Sequence, residues 1–111
     1  MPSDFRYFLT PLALQDIDET LAYISDELCN PQAAAALLDS LEQTMERVCA
    51  YPYAFSDCSL FFIQDARIRH APVGNYLAVY EIDEEKRQID LLRFRYAKTD
   101  LKNTPFKMTE S

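Results

Sequence analysis

The stretch that decides the fold is residues 67–100, which read RIRHAPVGNYLAVYEIDEEKRQIDLLRFRYAKTD. Aromatic and β-branched residues fill three runs of it, and such runs are typical of β-strands. The three runs are residues 68–72, 76–82 and 88–96. Gly74, the only glycine of the chain, lies between the first two, where it suits a tight turn because glycine adopts positive φ without strain. The charged residues 83–86 form the next turn, so the pattern predicts two successive β-hairpins.

Side chains alternate between the two faces of a strand, and this alternation sorts the residues of the third run. One face is predicted to hold Leu92, Phe94 and Tyr96, and the other Ile89, Leu91, Arg93 and Arg95. Arg67 and Arg69 share a face of the first run. The four arginines are therefore candidates for presenting cations to an anionic partner. Solvated arginines at the edges of the sheet are the alternative interpretation.

Two amphipathic helices are predicted before the meander, after a short aromatic strand at residues 5–9. Each begins with a capping residue and a proline, Thr10-Pro11 and Asn30-Pro31, as helices often do. Apolar residues then recur every three or four positions and give each helix one apolar face, which in the first helix consists of Leu14, Ile17, Leu21, Ile24 and Leu28. The solvent side of the first helix is predicted to be acidic, with Asp16, Asp18, Glu19, Asp26 and Glu27. Because few residues separate the helices, they should pack as an antiparallel hairpin.

The element order predicts an α+β fold of the form β-α-α-β-β-β. The helical hairpin should cover one face of a four-stranded, mostly antiparallel sheet, because each helix must bury its apolar face. The first strand is expected to pair in parallel with the last, across the helical connection. Residues 51–66 are interpreted as a loop, in which SLFFI at 59–63 is either a short strand or a tucked segment. Residues 1–100 form one domain in this prediction, and residues 101–111 form a polar tail.

The charge of the chain is unevenly distributed. The net charge is −7, which argues against general nucleic-acid binding. Residues 1–66 carry two basic and eleven acidic side chains, whereas residues 67–111 carry nine basic and seven acidic ones, so a local cationic surface survives. Three cysteines without a C-x-x-C pair suit a reducing compartment. No leader pattern and no apolar run of membrane-spanning length is present, so we expect a cytoplasmic protein that does not enter a membrane.

Few motifs for chemistry are present. A single glycine excludes the phosphate-binding glycine loops, and a single histidine, His70, excludes a histidine-based metal site. We therefore expect neither a metal nor a cofactor. Arginines and tyrosines remain: arginine binds phosphate and offsets negative charge, and tyrosine stacks on bases or transfers a proton. Such a set is compatible with metal-independent cleavage of RNA by its own 2′-hydroxyl group.

The order of these segments resembles the RelE/ParE superfamily of toxins from bacterial type II toxin–antitoxin modules. The resemblance covers about residues 5–100. It is carried by YFLTPLALQDIDETLAYI, NPQAAAALLDSLE, YPYAF, RIRHAPVGNYLAVYEIDEE and IDLLRFRYAKTD, in that order. It implies the same β-α-α-β-β-β fold and a cognate antitoxin that wraps the toxin.

The resemblance implies two possible activities. RelE-like members cleave mRNA on the ribosome without a metal, and ParE-like members inhibit DNA gyrase. In the RelE-like reading, which we place first, Arg69, Arg93 and Tyr96 are catalytic, and Arg67 and Arg95 bind RNA. The partners are then the ribosome and mRNA, or gyrase in the second reading. A degenerate toxin that only binds its antitoxin is the third possibility. The acidic total and the lack of lysine in residues 51–66 depart from the RNase branch.

Overall fold

A computed structural model describes residues 5–57 and 67–97. The two helices are α1 (Pro11–Ala22), which continues into a π-helical turn over Tyr23–Glu27, and α2 (Pro31–Ala50). The strands are β1 (Arg6–Leu9), β2 (Ser56–Asp57), β3 (Ile68–Val73), β4 (Tyr76–Asp83) and β5 (Gln88–Tyr96). The predicted segment 59–63 and the predicted tail 101–111 lie outside the described residues.

The strands form one sheet in the order β1-β5-β4-β3-β2. β1 pairs in parallel with β5, and the other pairs are antiparallel. The predicted α+β fold is therefore confirmed, with its helical hairpin on one face of four main strands. The two-residue β2, which pairs with Arg69 and His70 of β3, extends the sheet at its far edge.

The core lies between the helices and one face of the sheet. The helices contribute Ala13 and Ile17 from α1 and Leu41, Met45 and Val48 from α2. The sheet contributes Ala71, Val73, Ala78, Tyr80, Ile82, Ile89, Leu91 and Phe94. Cross-strand pairs such as Ala78–Phe94, Tyr80–Leu91 and Ile82–Ile89 place these residues on the same face.

The predicted grouping of side chains along β5 is wrong in one respect. Val79 pairs with Arg93 and Tyr80 pairs with Leu91, so Leu92 is an extra residue in β5. Such a β-bulge shifts the alternation of every side chain beyond it. As a result Ile89 and Leu91 lie in the core together with Phe94, rather than on the face opposite to it.

Thr10 joins the helical layer to the sheet. Its side-chain oxygen accepts a hydrogen bond from the Ala13 N–H (3.2 Å) at the start of α1, and its hydroxyl donates to the Leu91 carbonyl (2.8 Å). The cap of the helix is thus also a contact with β5, which fixes where α1 leaves the sheet edge.

Candidate functional site

Arg93 forms a shielded ion pair with Asp16 of α1. The Arg93 Nε lies 2.7 Å from Asp16 Oδ2, and its Nη2 lies 3.1 Å from Oδ1, so the pair is bidentate. The side chains are only 14% and 11% exposed. Asp16 also accepts a hydrogen bond from the backbone N–H of Phe94 (3.1 Å). The carboxylate thus neutralises the arginine. It also accepts a backbone N–H of β5 at a position beyond the end of the pairing with β1.

Asp16 is the residue that sequence reasoning misplaced. The prediction put it on the solvent side of the first helix, and Leu14 and Leu28 on the apolar side. The structure buries Ala13, Ile17 and Ile24 and leaves Leu14 and Leu28 46% and 55% exposed. The inner face of the helix is therefore rotated toward the side that carries Asp16. A signal was available in the spacing, since Ala13, Asp16, Ile17 and Ile24 recur at helical intervals.

Arg69 binds the segment that follows α2. Its Nη1 donates to the carbonyl of Phe55 at 2.7 Å and approaches that of Tyr53 at 3.4 Å. Its guanidinium carbon also lies 5.0 Å from the centre of the Tyr53 ring, a cation–π contact. A hydrogen bond to Glu84 raises the pKa of the Tyr53 hydroxyl above its usual value. Arg69 therefore holds residues 53–55, shortly after the end of α2, against β3.

A cleft of about 920 Å³ lies between α1, the π-helical turn and the end of the β4–β5 hairpin. Its charged and aromatic lining includes Asp16, Arg93, Arg95, Tyr76 and Tyr96. The Tyr76 ring stacks on Phe94, with centroids 5.1 Å apart, and meets the Tyr96 ring edge-on at 5.4 Å. Burial raises the pKa of Tyr76, and its tyrosine neighbours add to this.

The five predicted site residues are not gathered in one place. Arg93, Arg95 and Tyr96 line the cleft, whereas Arg69 faces the segment after α2. Arg67 is a surface residue whose Nη2 lies 3.7 Å from Glu81 Oε2.

Two carboxylates face each other on the side of the sheet away from the helices. Glu81 of β4 is the direct cross-strand neighbour of Asp90 of β5. The adjacent residues Tyr80, Ile82, Ile89 and Leu91 point into the core, so Glu81 and Asp90 point away from it. Arg67 partners Glu81, and the Gln88 amide donates to Asp90 at 2.7 Å. This face of the sheet therefore carries negative charge beside the arginines of the meander.

The described ranges 5–57 and 67–97 contain no cluster of three metal-binding side chains. No helix within them is long and apolar enough to cross a bilayer.

Comparison with known proteins identifies the family. The family model described as the ParE toxin of the type II toxin–antitoxin system, parDE, matches residues 7–101. The chain belongs to the ParE toxin family. The predicted resemblance to the RelE/ParE superfamily is thereby confirmed, and the protein is the toxin of a type II toxin–antitoxin system. A search of curated protein sequences returned no match.

Two solved structures share the ParE-type fold of this toxin. One is a chromosomal ParDE toxin–antitoxin system from P. aeruginosa, with a TM-score of 0.66, 12% identity, and coverage of 85% of this chain and 97% of that one. The other is the toxin–antitoxin complex RelBE2 from Mycobacterium tuberculosis, with a TM-score of 0.60, 19% identity, and coverage of 88% and 97%. At these identities the likeness concerns the fold.

Proposed function

We propose that this toxin stops growth by binding DNA gyrase, without nuclease chemistry, and that a cognate antitoxin neutralises it. The observation that carries the proposal is the ion pair between Arg93 and Asp16. An arginine that offsets charge at a scissile phosphate must be available to that phosphate. Here a carboxylate engages the guanidinium of Arg93 through two hydrogen bonds.

The remaining predicted catalytic residues support the same conclusion. Arg69 donates to the carbonyl of Phe55 and lies outside the cleft that holds Arg93 and Tyr96. Arg69 is thus directed at another part of the surface than Arg93 and Tyr96, which argues against their binding one phosphate together. In addition, Glu81 and Asp90 lie side by side on the sheet face away from the helices, where they would repel an RNA backbone.

The family match favours the gyrase branch over the mRNA-cleaving branch, because the matching model is that of ParE. Cleavage of mRNA on the ribosome, with Arg69, Arg93 and Tyr96 as the catalytic set, is the competing reading. It requires Arg93 to leave Asp16 when the substrate binds. The third candidate function is that of a toxin that has lost its activity and only binds its antitoxin.

Two assays on the same purified protein separate these functions. In the first, DNA gyrase supercoils a relaxed plasmid in the presence of increasing toxin. In the second, the toxin is added to a translation extract and new mRNA 5′ ends are mapped. We expect supercoiling to fall and the mRNA to stay intact.

New mRNA ends with unchanged supercoiling would overturn the proposal in favour of the RNase. In that case Arg93→Ala should lower the cleavage rate by roughly 10²–10³, the effect of losing one contact to the transition-state charge. If neither activity appears, and expression of the chain alone does no harm to cells, the binding-only reading replaces both. The protein encoded in the adjacent reading frame supplies the control, since adding it should restore supercoiling.

A further inference from the structure

The segment that follows α2 presents two exposed tyrosines. Tyr51 is 67% exposed and Tyr53 is 46% exposed. Tyr51 ends α2, and its N–H donates to the Arg47 carbonyl at 2.9 Å. The exposed Arg47 therefore lies about one helical turn before Tyr51. Large aromatic side chains that remain this exposed are candidates for contact with a partner.

The sheet holds this segment in place. The hydroxyl of the fully buried Tyr80 donates to the Pro52 carbonyl at 2.8 Å. The Tyr53 ring lies 5.0 Å from the guanidinium carbon of Arg69, and the Tyr53 hydroxyl donates a hydrogen bond to Glu84. The backbone between the two exposed tyrosines is thus fixed before a partner arrives. A preformed surface of this kind loses little conformational entropy on binding.

Arg67 adds a cation beside Tyr53. Its side chain is 58% exposed, and its Nη2 lies 3.7 Å from Glu81 Oε2. The hydrogen bond to Glu84 raises the pKa of the Tyr53 hydroxyl, whereas the charges of Arg69 and Arg67 act in the opposite direction, so both arginines lie close to this hydroxyl. The exposed residues of this region form what we call the Tyr–Arg surface: Arg47, Tyr51, Tyr53 and Arg67.

The Tyr–Arg surface lies away from the cleft, and its residues are not part of the cleft lining. α2 has Ala33 in the cleft near its start and Arg47 near its end, roughly 20 Å away at a rise of about 1.5 Å per residue. Similarly, β4 runs from Tyr76 in the cleft to Glu81 beside Arg67, a distance of roughly 17 Å along a strand. The two surfaces can therefore contact different partners.

We propose that the Tyr–Arg surface is where this toxin binds gyrase, and that it docks on an acidic patch of the gyrase protein. The inference rests on the gyrase binding of the proposed function. Tyrosine and arginine are among the residues that most often carry the affinity of protein interfaces. Arg47 and Arg67 suit carboxylates, whereas the net charge of −7 makes the rest of the chain unfavourable for an acidic partner. A nucleic acid fits less well, because the surface offers few cations and Glu81 and Glu84 lie beside it.

The first test measures how toxin variants inhibit supercoiling by gyrase. Tyr51→Ala and Arg67→Glu should each raise the toxin concentration for half-inhibition at least about 10-fold, since interface tyrosines and arginines often have such effects. The matched controls are Phe8→Ala and Arg6→Glu, at exposed positions of β1 on the opposite edge of the sheet. They should change this concentration less than about threefold. Circular dichroism verifies that each variant is folded.

A photo-cross-link identifies what the Tyr–Arg surface contacts. The variant Tyr51→p-benzoylphenylalanine is irradiated with gyrase bound to DNA, and Phe8→p-benzoylphenylalanine is the control. We expect position 51, and not position 8, to cross-link to a gyrase peptide rich in Asp and Glu.

Three results would overturn the inference while leaving gyrase as the target. The first is inhibition by Tyr51→Ala and Arg67→Glu that equals inhibition by the wild type. The second is an equal loss of inhibition in the β1 controls. The third is that position 51 cross-links to DNA, to a peptide without acidic residues, or to nothing. If the wild-type toxin neither binds nor inhibits gyrase, the proposed function itself fails, and this result is distinct from the other three.

Discussion

At the scale of single residues, the carboxylate of Asp16 takes part in several interactions at once. Asp16 neutralises Arg93, accepts the N–H of Phe94 and lines the cleft. We expect Asp16→Ala to lower the free energy of unfolding by about 3 kcal/mol, because it leaves Arg93 shielded from water without its counter-ion. Urea denaturation followed by circular dichroism measures this.

Asp18, which is also in α1 but exposed, provides the control. Asp18→Ala should lower the free energy of unfolding by less than about 0.5 kcal/mol. Combining Asp16→Ala with Arg93→Met should recover part of the loss, because the second change removes the uncompensated charge. If Asp16→Ala is as stable as the wild type, the pair contributes nothing and its role as the neutraliser of Arg93 is wrong.

The cysteines allow a second test at this scale. Cys49 is 7% exposed, and burial, followed by the nearby Glu46, raises the pKa of its thiol. In a Cys58→Ser background, a thiol reagent should label the exposed Cys29 quickly and Cys49 only slowly until the protein unfolds. Equal labelling rates for both thiols in the folded protein would contradict the packing of α2 on the sheet.

The raised pKa of Cys49 also sets the sign of a pH dependence. The unfolded thiol loses its proton at a lower pH than the folded one, so the unfolded state binds fewer protons between the two pKa values. The free energy of unfolding should therefore fall as the pH rises through this alkaline range and be unaffected below it. Cys49→Ala should make this decline shallower, which urea titrations at pH 8 and pH 10 can detect.

At the scale of elements, the segment after α2 depends on side chains from the sheet. Tyr80, which is fully buried, donates from its hydroxyl to the Pro52 carbonyl (2.8 Å), and Arg69 binds the Phe55 carbonyl. We expect Arg69→Ala to destabilise the protein by about 1–2 kcal/mol and to speed hydrogen exchange in residues 51–57 selectively.

Arg67→Ala is the matched control, because its ion pair with Glu81 is long and exposed and should contribute less than about 0.5 kcal/mol. If hydrogen exchange of residues 51–57 is as slow in Arg69→Ala as in the wild type, Arg69 does not hold this segment. Arg69 would then again be a candidate for a catalytic role.

The regular helices and strands could be predicted from the sequence, whereas the irregular features and the long-range contacts could not. Caps, prolines and apolar periodicity predicted both helices, and runs of aromatic and β-branched residues predicted the four main strands, because all of these signals depend on local residues. The bulge at Leu92 and the π-helical turn are irregularities that neither the period of a strand nor that of a helix contains. The Arg93–Asp16 pair joins residues 77 positions apart, so only the folded chain reveals it. Arg95 and Tyr96 were predicted to belong to a site, and they line the cleft, but Arg69 does not accompany them.

At the scale of the whole molecule, charge decides which partners are favoured. The total is −7, and the arginines of the meander are partly offset by carboxylates on the sheet itself, Glu81 and Asp90 among them. Nucleic-acid binding needs several uncompensated cations, because its free energy comes largely from releasing counter-ions. A toxin with this charge distribution is better suited to protein surfaces.

The acidic total and the carboxylates of the sheet predict weak binding to RNA. Fluorescence anisotropy with a single-stranded RNA of about 20 nucleotides should give a dissociation constant weaker than about 10⁻⁴ M at physiological salt, and an affinity that depends little on salt. The double variant Glu81→Gln, Asp90→Asn removes two negative charges from the sheet and should bind RNA measurably better than the wild type. Micromolar binding by the wild type with a steep salt dependence would instead mean that the arginines reach the phosphates despite these carboxylates, and the mRNA-cleaving reading would then regain its physical basis.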